Sequence, residues 1–163
     1  MGGLAVRQSE PYGEGVEIIA RGLLQVGPAV LLCRSKRGGY SYLPGGHVER
    51  DETAVEACRR EFLEETGMAV RVGKCLLVCE VLFEQNRTAR HEVNLVFHVE
   101  HEDQGRLDDE KIRALVSSQE EHIAFDWVDL AAIGDLDLRP TSIRAWLVAG
   151  AQREGTFFVP TPH

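Results

Sequence analysis

The sequence predicts a mixed β-sheet flanked by helices, which belongs to the α/β class. Apolar, β-branched runs typical of strands lie on both sides of one charged segment with helical spacing, and a second helical segment lies near the C-terminus. Such an order indicates layers of helix and sheet around a shared core. The length of 163 residues, of which 44% are hydrophobic, suits a single domain with a real core.

The N-terminal part is predicted to contain a polar lead-in followed by two strands. Residues 1–15 are expected to be flexible, and residues 16–163 to form one domain. The runs at 16–26 and 29–33 are rich in Val, Ile and Leu, and a Gly-Pro pair separates them. This pattern predicts two strands joined by a tight connection.

A helix is predicted to follow a Pro-Gly-Gly triplet. Good helix formers run from Glu52 to Glu65, and Gly67 is available to end the helix. The triplet at 44–46 does not favour helix, so the chain enters the helix from a tight loop.

The later elements are predicted from apolar periodicity and turn residues. In chain order they are a strand at 68–83 interrupted near Gly73, a polar turn at 84–90, a return strand at 91–101, a short helical turn at 111–116, a strand at 123–130 that leads into a short helix, a helix from Pro140 to about Gln152, and an extended tail at 155–159 that pairs with a sheet edge.

Three glutamates lie on one face of the predicted helix that follows the Pro-Gly-Gly triplet. Glu61, Glu64 and Glu65 are neighbours at helical spacing, and their like charges repel unless a cation lies between them. Oxygen ligands suit a hard cation such as Mg²⁺ or Mn²⁺ better than Zn²⁺. Arg60 lies beside this face and is able to orient a carboxylate by a bidentate contact. The alternative is a charge-rich helix that is merely solvated.

The segment from Gly46 to Met68, GHVERDETAVEACRREFLEETGM, resembles the signature of the Nudix hydrolases, the MutT-like family, at every fixed position. Members of that family hydrolyse a phosphoanhydride bond in a nucleoside diphosphate linked to another group, and they use a divalent metal. The resemblance therefore implies an α/β/α sandwich with a mixed, partly antiparallel sheet. It also implies Mg²⁺ or Mn²⁺ as the cofactor.

The resemblance implies roles for individual residues of this segment. Glu61, Glu64 and Glu65 resemble the metal-binding glutamates, and Gly45 resembles the residue whose backbone carbonyl often joins them. A separate pair, which supports the helix and orients its carboxylates, corresponds to Glu52 and Arg60.

A carboxylate that does not bind the metal is expected to accept a proton from the attacking water. Relatives often carry a glutamate in the loop before the late strand, as a further metal ligand or as the base, and Glu120 or Glu121 resembles it. Glu52 is a third candidate for the base. An ordinary solvated acidic loop is the alternative interpretation of Glu120 and Glu121.

Two residues are predicted to contact the substrate. Arg34 follows the second strand, at about the place where family members often have a basic residue that contacts phosphate; a solvated turn is the alternative. Tyr42 precedes the Pro-Gly-Gly triplet and, with Tyr40, either stacks on a base or packs against the protein.

The substrate itself stays open between a nucleoside triphosphate and a nucleotide sugar such as ADP-ribose. Residues near Phe83 lack the markers of the ADP-ribose and diadenosine polyphosphate branches. A Nudix-fold module that senses a nucleotide without cleaving it is the alternative function, although such modules usually lose metal glutamates.

Charge and composition limit the partners. A formal net charge of −8 and a pI near 5.2 argue against binding to nucleic acid polymers or anionic membranes. No stretch approaches the length of a membrane span, and the four cysteines show no CxxC pair and are expected to be buried thiols. We therefore expect a cytoplasmic protein that acts on a small nucleotide. The resemblance allows a homodimer.

Overall fold

The computed structural model of the protein describes residues 15–85 and 87–150, and the backbone of 157–159. Apart from its last residue, the predicted lead-in at 1–15 lies outside this part of the chain. The elements, in chain order, are β1 (Glu17–Val26), β2 (Ala29–Ser35), β3 (Ser41–Tyr42), β4 (Gly45–His47), α1 (Ala54–Thr66), β5 (Val70–Gln85), β6 (Thr88–His101), α2 (Asp109–Ala114), β7 (Ile123–Asp129), the 3₁₀ helix η1 (Leu130–Asp135), α3 (Thr141–Val148) and β8 (Phe157–Val159).

The strands form one mixed sheet. Across the described residues its main path contains β3, β2, β1, β6, β5 and β8 in that order, while β4 pairs with β1 and β7 pairs with β2. The β1–β6 and β5–β8 pairs are parallel, and the remaining pairs are antiparallel. The predicted mixed, partly antiparallel sheet is confirmed. Of the extended tail predicted at 155–159, residues 157–159 join the sheet edge as β8, and residues 155 and 156 lie outside the described part of the chain.

Two buried clusters cover opposite faces of the sheet, because successive side chains of a strand point to opposite sides. Leu24 packs with Phe62 of α1 on one face, and Leu23 packs with Ile143 of α3 on the other. Burial of a side chain such as Phe62 contributes roughly 1.5–3 kcal/mol. A Cβ at Gly22 would lie 2.2 Å from the ring of Phe62, so this glycine lets α1 approach β1 closely. The predicted α/β/α sandwich is therefore confirmed.

Helix α1 begins and ends with specific caps. The hydroxyl of Thr53 accepts a hydrogen bond from the Glu56 N–H at 3.3 Å, and the carboxylate of Glu56 accepts one from the Thr53 N–H at 2.8 Å. This capping box satisfies N–H groups that have no partner inside the helix. Gly67 ends the helix with φ of +72°, and its N–H donates to Leu63 O.

Strands β1 and β2 diverge after their connecting turn. They pair only at Gln25–Val30 and Val26–Ala29. Farther from the turn, β1 pairs with β4 and β2 pairs with β3. The short strands β3 and β4 therefore lie between the diverging ends of β1 and β2. The Pro-Gly-Gly triplet is thereby held in the middle of the sheet, beside α1.

The predicted turn at 84–90 is wrong in its extent. Strands β5 and β6 pair as far as Gln85 and Thr88, and the connection is tight, with φ of +64° at Arg87. Strands β5 and β6 thus form a two-stranded ribbon, and its end at 84–85 and 88–90 carries mostly polar side chains, so this end lacks the apolar alternation that identifies a strand. The interruption expected near Gly73 is present as shifts of register between Val72 and Leu77.

The C-terminal helix is shorter than predicted. Helix α3 ends at Val148 instead of near Gln152, which lies outside the described residues. The N–H of Ala149 donates back to Ala145 O, and Gly150 then adopts φ of +85°, which turns the chain out of the helix. Of the four cysteines, Cys33, Cys58 and Cys79 are buried, Cys75 is half-buried, and all are free thiols.

None of the helices in residues 15–85 and 87–150 is long and apolar enough to cross a membrane.

Candidate active site

A cavity of 820 Å³ opens where the Pro-Gly-Gly triplet meets α1. Its size lies within the range of about 300–1,000 Å³ that is typical of small-molecule sites. Its lining combines the segment 45–47, part of the β5–β6 ribbon and the N-terminus of α3 with the side chains of Arg21, Tyr40, Tyr42, Glu65 and Glu120. A smaller pocket of 240 Å³, beside Trp127, shares none of these residues.

Glu65 is the buried carboxylate of this cavity, with only 6% of its surface exposed. Its Oε2 atom accepts a hydrogen bond from the Gly45 N–H at 2.9 Å and a weak one from the Cys33 thiol at 3.8 Å. Gly45 has φ of +132°, and a Cβ at this position would lie 2.1 Å from the carbonyl oxygen of Ala20. Only glycine therefore presents this N–H to Glu65.

The electrostatic surroundings of Glu65 disfavour its charge. Burial raises the pKa of Glu65 to about 7, and the negative charges of Glu61 and Glu120 act in the same direction. The Gly45 N–H and the guanidinium of Arg21 act in the opposite direction and lower this pKa. A cation near Glu65 would therefore stabilise its ionised form.

Glu61 lies one turn earlier on α1 and is also partly removed from water. Burial raises the pKa of Glu61, and its hydrogen bond with Arg60 opposes the change. A Cβ on Gly46 would lie 2.5 Å from Glu61 Oε1, so the absence of a side chain at Gly46 leaves space beside this carboxylate.

Arg60 connects the acidic residues to one another. Its guanidinium donates to both carboxylate oxygens of Glu52, at 2.7 and 3.1 Å, and its Nη1 donates to Glu61 at 2.9 Å and to Glu64 at 3.0 Å. A further bond reaches the carbonyl of His47 at 3.1 Å. The hydrogen bonds from Arg60 hold the pKa of Glu52 below its usual value.

The donor atoms fit a hard divalent cation, although their side chains face protein partners. Nowhere in the described ranges do three His, Cys, Asp or Glu side chains form a metal-binding group. Glu61 and Glu64 instead contact Arg60, and Glu65 contacts Gly45. Three carboxylates within about one helical turn, beside a glycine, nevertheless match the oxygen ligands that Mg²⁺ and Mn²⁺ prefer.

The NUDIX domain family model matches residues 17–147. The chain belongs to the Nudix family. It carries the family signature on α1 and the adjoining loop, and it is a Nudix pyrophosphohydrolase.

Solved Nudix structures share this fold. The MutT protein from Methanosarcina mazei Go1 is 26% identical, with a TM-score of 0.65 over 85% of this chain and 95% of that one. The mutator MutT protein from Bacillus halodurans is 19% identical, with a TM-score of 0.64 over 88% and 90%. An ADP-ribose pyrophosphatase from Streptococcus suis is 15% identical, with a TM-score of 0.56 over 89% and 98%.

The three candidates for the base of this Nudix enzyme have different surroundings. Glu120 lines the cavity, and its carboxylate lies 3.0 Å from the Nε2 atom of His122. Glu121 does not line it, and its backbone carbonyl accepts a hydrogen bond from Lys36. Glu52 is bound by Arg60 through both carboxylate oxygens.

Of the two residues predicted to contact the substrate, one lines the cavity and the other does not. Tyr42 lines the cavity, its ring centroid lies 6.0 Å from that of Tyr40, and burial raises the pKa of its hydroxyl. Arg34 lies outside the lining and donates to Asp126 at 2.6 Å. This partner comes from β7, which pairs with β2.

Two arginines that line the cavity, Arg21 and Arg139, belong to no motif of the sequence. Arg21 is the one charged residue within the apolar run 18–24 of β1, which was the available signal. Arg139 precedes a proline, and its guanidinium lies 4.6 Å from the centroid of the Tyr40 ring while it donates twice to Asp137.

Proposed function

We propose that the chain hydrolyses a phosphoanhydride bond in a nucleoside diphosphate linked to another group, in a reaction that requires Mg²⁺ or Mn²⁺. The observation that carries this proposal is the meeting of the acidic face of α1 with the 820 Å³ cavity, at Glu65 and the glycines of the Pro-Gly-Gly triplet. Buried carboxylates beside a nucleotide-sized cavity are suited to metal-assisted phosphoryl chemistry.

The carboxylates of Glu61, Glu64 and Glu65 would hold the cation, and the family resemblance adds the carbonyl of Gly45. When bound, the cation supplies charge neutralisation on the phosphate oxygens and lowers the pKa of a bound water. The pKa values of Glu61 and Glu65 are raised by burial, which supports this role because a cation would compensate the buried charge.

We infer that Glu120 accepts the proton of the attacking water. Its position in the cavity lining supports this role, and its contact with His122 would orient the carboxylate. Glu52 is engaged by Arg60 and so is better suited to positioning that arginine, which in turn orients Glu61 and Glu64. Glu121 has less support, since it lies outside the lining.

The substrate is proposed to be a small nucleotide, either a nucleoside triphosphate or a nucleotide sugar such as ADP-ribose. Tyr40 and Tyr42 offer aromatic rings on which a base is able to stack. The net charge of −8 opposes binding of a nucleic acid polymer. A cytoplasmic location and a homodimer remain predictions.

The experiment is a substrate panel of nucleoside triphosphates, nucleotide sugars, dinucleotides and ADP-ribose with Mg²⁺ or Mn²⁺. Release of phosphate or nucleoside monophosphate is measured for the wild type, Glu65→Gln and Glu110→Gln, a control on the exposed surface of α2. We expect cleavage of one substrate class, at least about 100-fold slower in Glu65→Gln and unchanged in Glu110→Gln. Tight nucleotide binding with no product would favour the sensing module instead.

A further inference from the structure

The cavity lining contains a guanidinium without a carboxylate partner. Arg21 projects from β1, where its Nε donates to Asn94 Oδ1 at 2.6 Å and its Nη1 donates to Leu43 O at 3.0 Å. Both acceptors are neutral. Within the ranges that the structure describes, no carboxylate oxygen lies within 4.0 Å of this guanidinium.

Other arginines near the site are neutralised within the protein. Arg60 pairs with Glu52, Arg139 pairs with Asp137, and Arg34 pairs with Asp126. A part-buried charge that hydrogen-bonds only to neutral groups is costly for a folded protein. The position of such a charge in a cavity favours a ligand that supplies the missing negative charge.

The location of Arg21 links the acidic helix to the aromatic wall. In the β1–β4 pair Arg21 lies opposite Gly45, whose N–H contacts Glu65. The centroid of the Tyr42 ring lies 5.8 Å from the guanidinium carbon. A group bound to Arg21 therefore lies close to both the proposed metal ligands and the proposed base-stacking surface.

We propose that Arg21 binds a phosphate group of the substrate's diphosphate. The Nη2 group makes no hydrogen bond to the described residues, and the bonds to Asn94 and Leu43 fix the plane of the guanidinium. The Nη2 atom of this fixed guanidinium carries two N–H groups that are suited to donate hydrogen bonds to phosphate oxygens. This inference rests on the proposed function, because it assumes a phosphate-containing substrate, and it assigns the contact to Arg21 instead of Arg34.

The test measures binding of inorganic pyrophosphate in EDTA, by titration calorimetry and by phosphorus NMR. The proteins are the wild type, Arg21→Gln, Arg21→Lys, Arg34→Gln and Arg71→Gln. Arg71 is a matched control for loss of charge, because it is exposed, pairs with Glu100 and lies away from the cavity lining. We expect Arg21→Gln to weaken pyrophosphate binding about tenfold or more. Arg21→Lys should weaken it less, because lysine keeps the positive charge but lacks the planar set of N–H donors of a guanidinium.

Three outcomes would overturn the proposal: binding by Arg21→Gln within about twofold of the wild type, a greater loss in Arg34→Gln, or no pyrophosphate binding by the wild type. A second measurement does not depend on whether Arg21→Gln folds. In the ¹⁵N-labelled wild type, pyrophosphate should shift the Arg21 Nε–H resonance, identified by its absence in Arg21→Lys, and an unchanged resonance would contradict the proposal.

The proposed hydrolysis is tested separately from this inference. Mn²⁺ binding, followed by electron paramagnetic resonance, should be retained in Arg21→Gln, because Arg21 makes no hydrogen bond to Glu61, Glu64 or Glu65, and the variant removes a positive charge near Glu65 and no metal ligand. If the phosphate contact holds while the substrate panel gives no product, the proposed reaction fails and the Arg21 assignment stands. If the wild type hydrolyses a substrate but Arg21→Gln binds pyrophosphate as tightly as the wild type does, the Arg21 assignment fails and the proposed reaction stands.

Discussion

The Oε2 atom of Glu65 lies 2.9 Å from the backbone nitrogen of Gly45, so the acidic helix is fastened to the loop through which the chain enters it. This contact requires a backbone conformation, φ of +132°, that side-chain-bearing residues rarely adopt. It also holds a carboxylate in a buried place with little compensating positive charge.

Gly45→Ala should destabilise the protein by at least about 2 kcal/mol, because the new Cβ meets both a strained φ and the carbonyl of Ala20. Chemical denaturation measures the loss. Gly39→Ala is the control, since Gly39 also has positive φ, at +71°, but a Cβ added there meets no atom within 4 Å. Its cost should be limited to about 1 kcal/mol of backbone strain. Equal losses in the two variants would show that contact with Ala20 is unimportant.

The stability of the metal-free protein should depend on pH through Glu65. Folding raises the pKa of this carboxyl from the ordinary 4.5 to about 7, so the folded state binds the proton more tightly than the unfolded state. The associated stabilisation is complete below pH 4.5 and is lost as pH rises to about 7, by about 3 kcal/mol. Glu65→Gln cannot titrate at this position, so we compare its free energy of unfolding in EDTA with that of the wild type across this interval. Parallel curves would contradict the assignment.

Arg60→Ala should lower the stability of the metal-free protein by about 1–3 kcal/mol, since it leaves Glu52, Glu61 and Glu64 without their shared guanidinium. Arg59→Ala, on the exposed surface of the same helix, should change stability by less than about 0.5 kcal/mol. Both values come from urea denaturation in EDTA. Added Mn²⁺ should raise the melting temperature of Arg60→Ala more than that of the wild type, because the cation replaces the lost positive charge. An equal rise would argue that Arg60 and the metal do not share these carboxylates.

Glu120→Gln should lower kcat by about 100-fold or more with little change in KM, as expected for loss of a general base. Glu121→Gln serves as the comparison, and its kcat should stay within about twofold of the wild type because this side chain lies outside the cavity lining. Steady-state kinetics on the substrate identified by the panel decides whether Glu120 or Glu121 is the general base. A larger loss in Glu121→Gln would reverse the assignment.

Local pattern was sufficient to predict the acidic helix. Spacing placed Glu61, Glu64 and Glu65 on one face, and Gly67 marked the end of the helix, because these features depend on neighbours in the chain; the start lies at Ala54, two residues after the predicted start. The family resemblance then predicted the sandwich.

Contacts between distant segments were not predictable in the same way. Arg21 meets Asn94 because β1 pairs in parallel with β6, and Arg34 meets Asp126 because β2 pairs with β7. No local pattern encodes such pairings. The two-residue strand β3 and the three-residue strand β4 are also too short to show a period.

The ribbon formed by β5 and β6 lines the cavity yet belongs to a different part of the chain from the acidic helix. The reactive carboxylates and one wall of the cleft can therefore change independently during evolution. Lengthening each strand of the ribbon by two residues would extend that wall, and each side chain would stay on the same face of the sheet. A shift of the pairing register by one residue would instead move each side chain to the opposite face. Relatives with ribbons of different length would thus be expected to differ in the substrates they accept while sharing the same acidic helix.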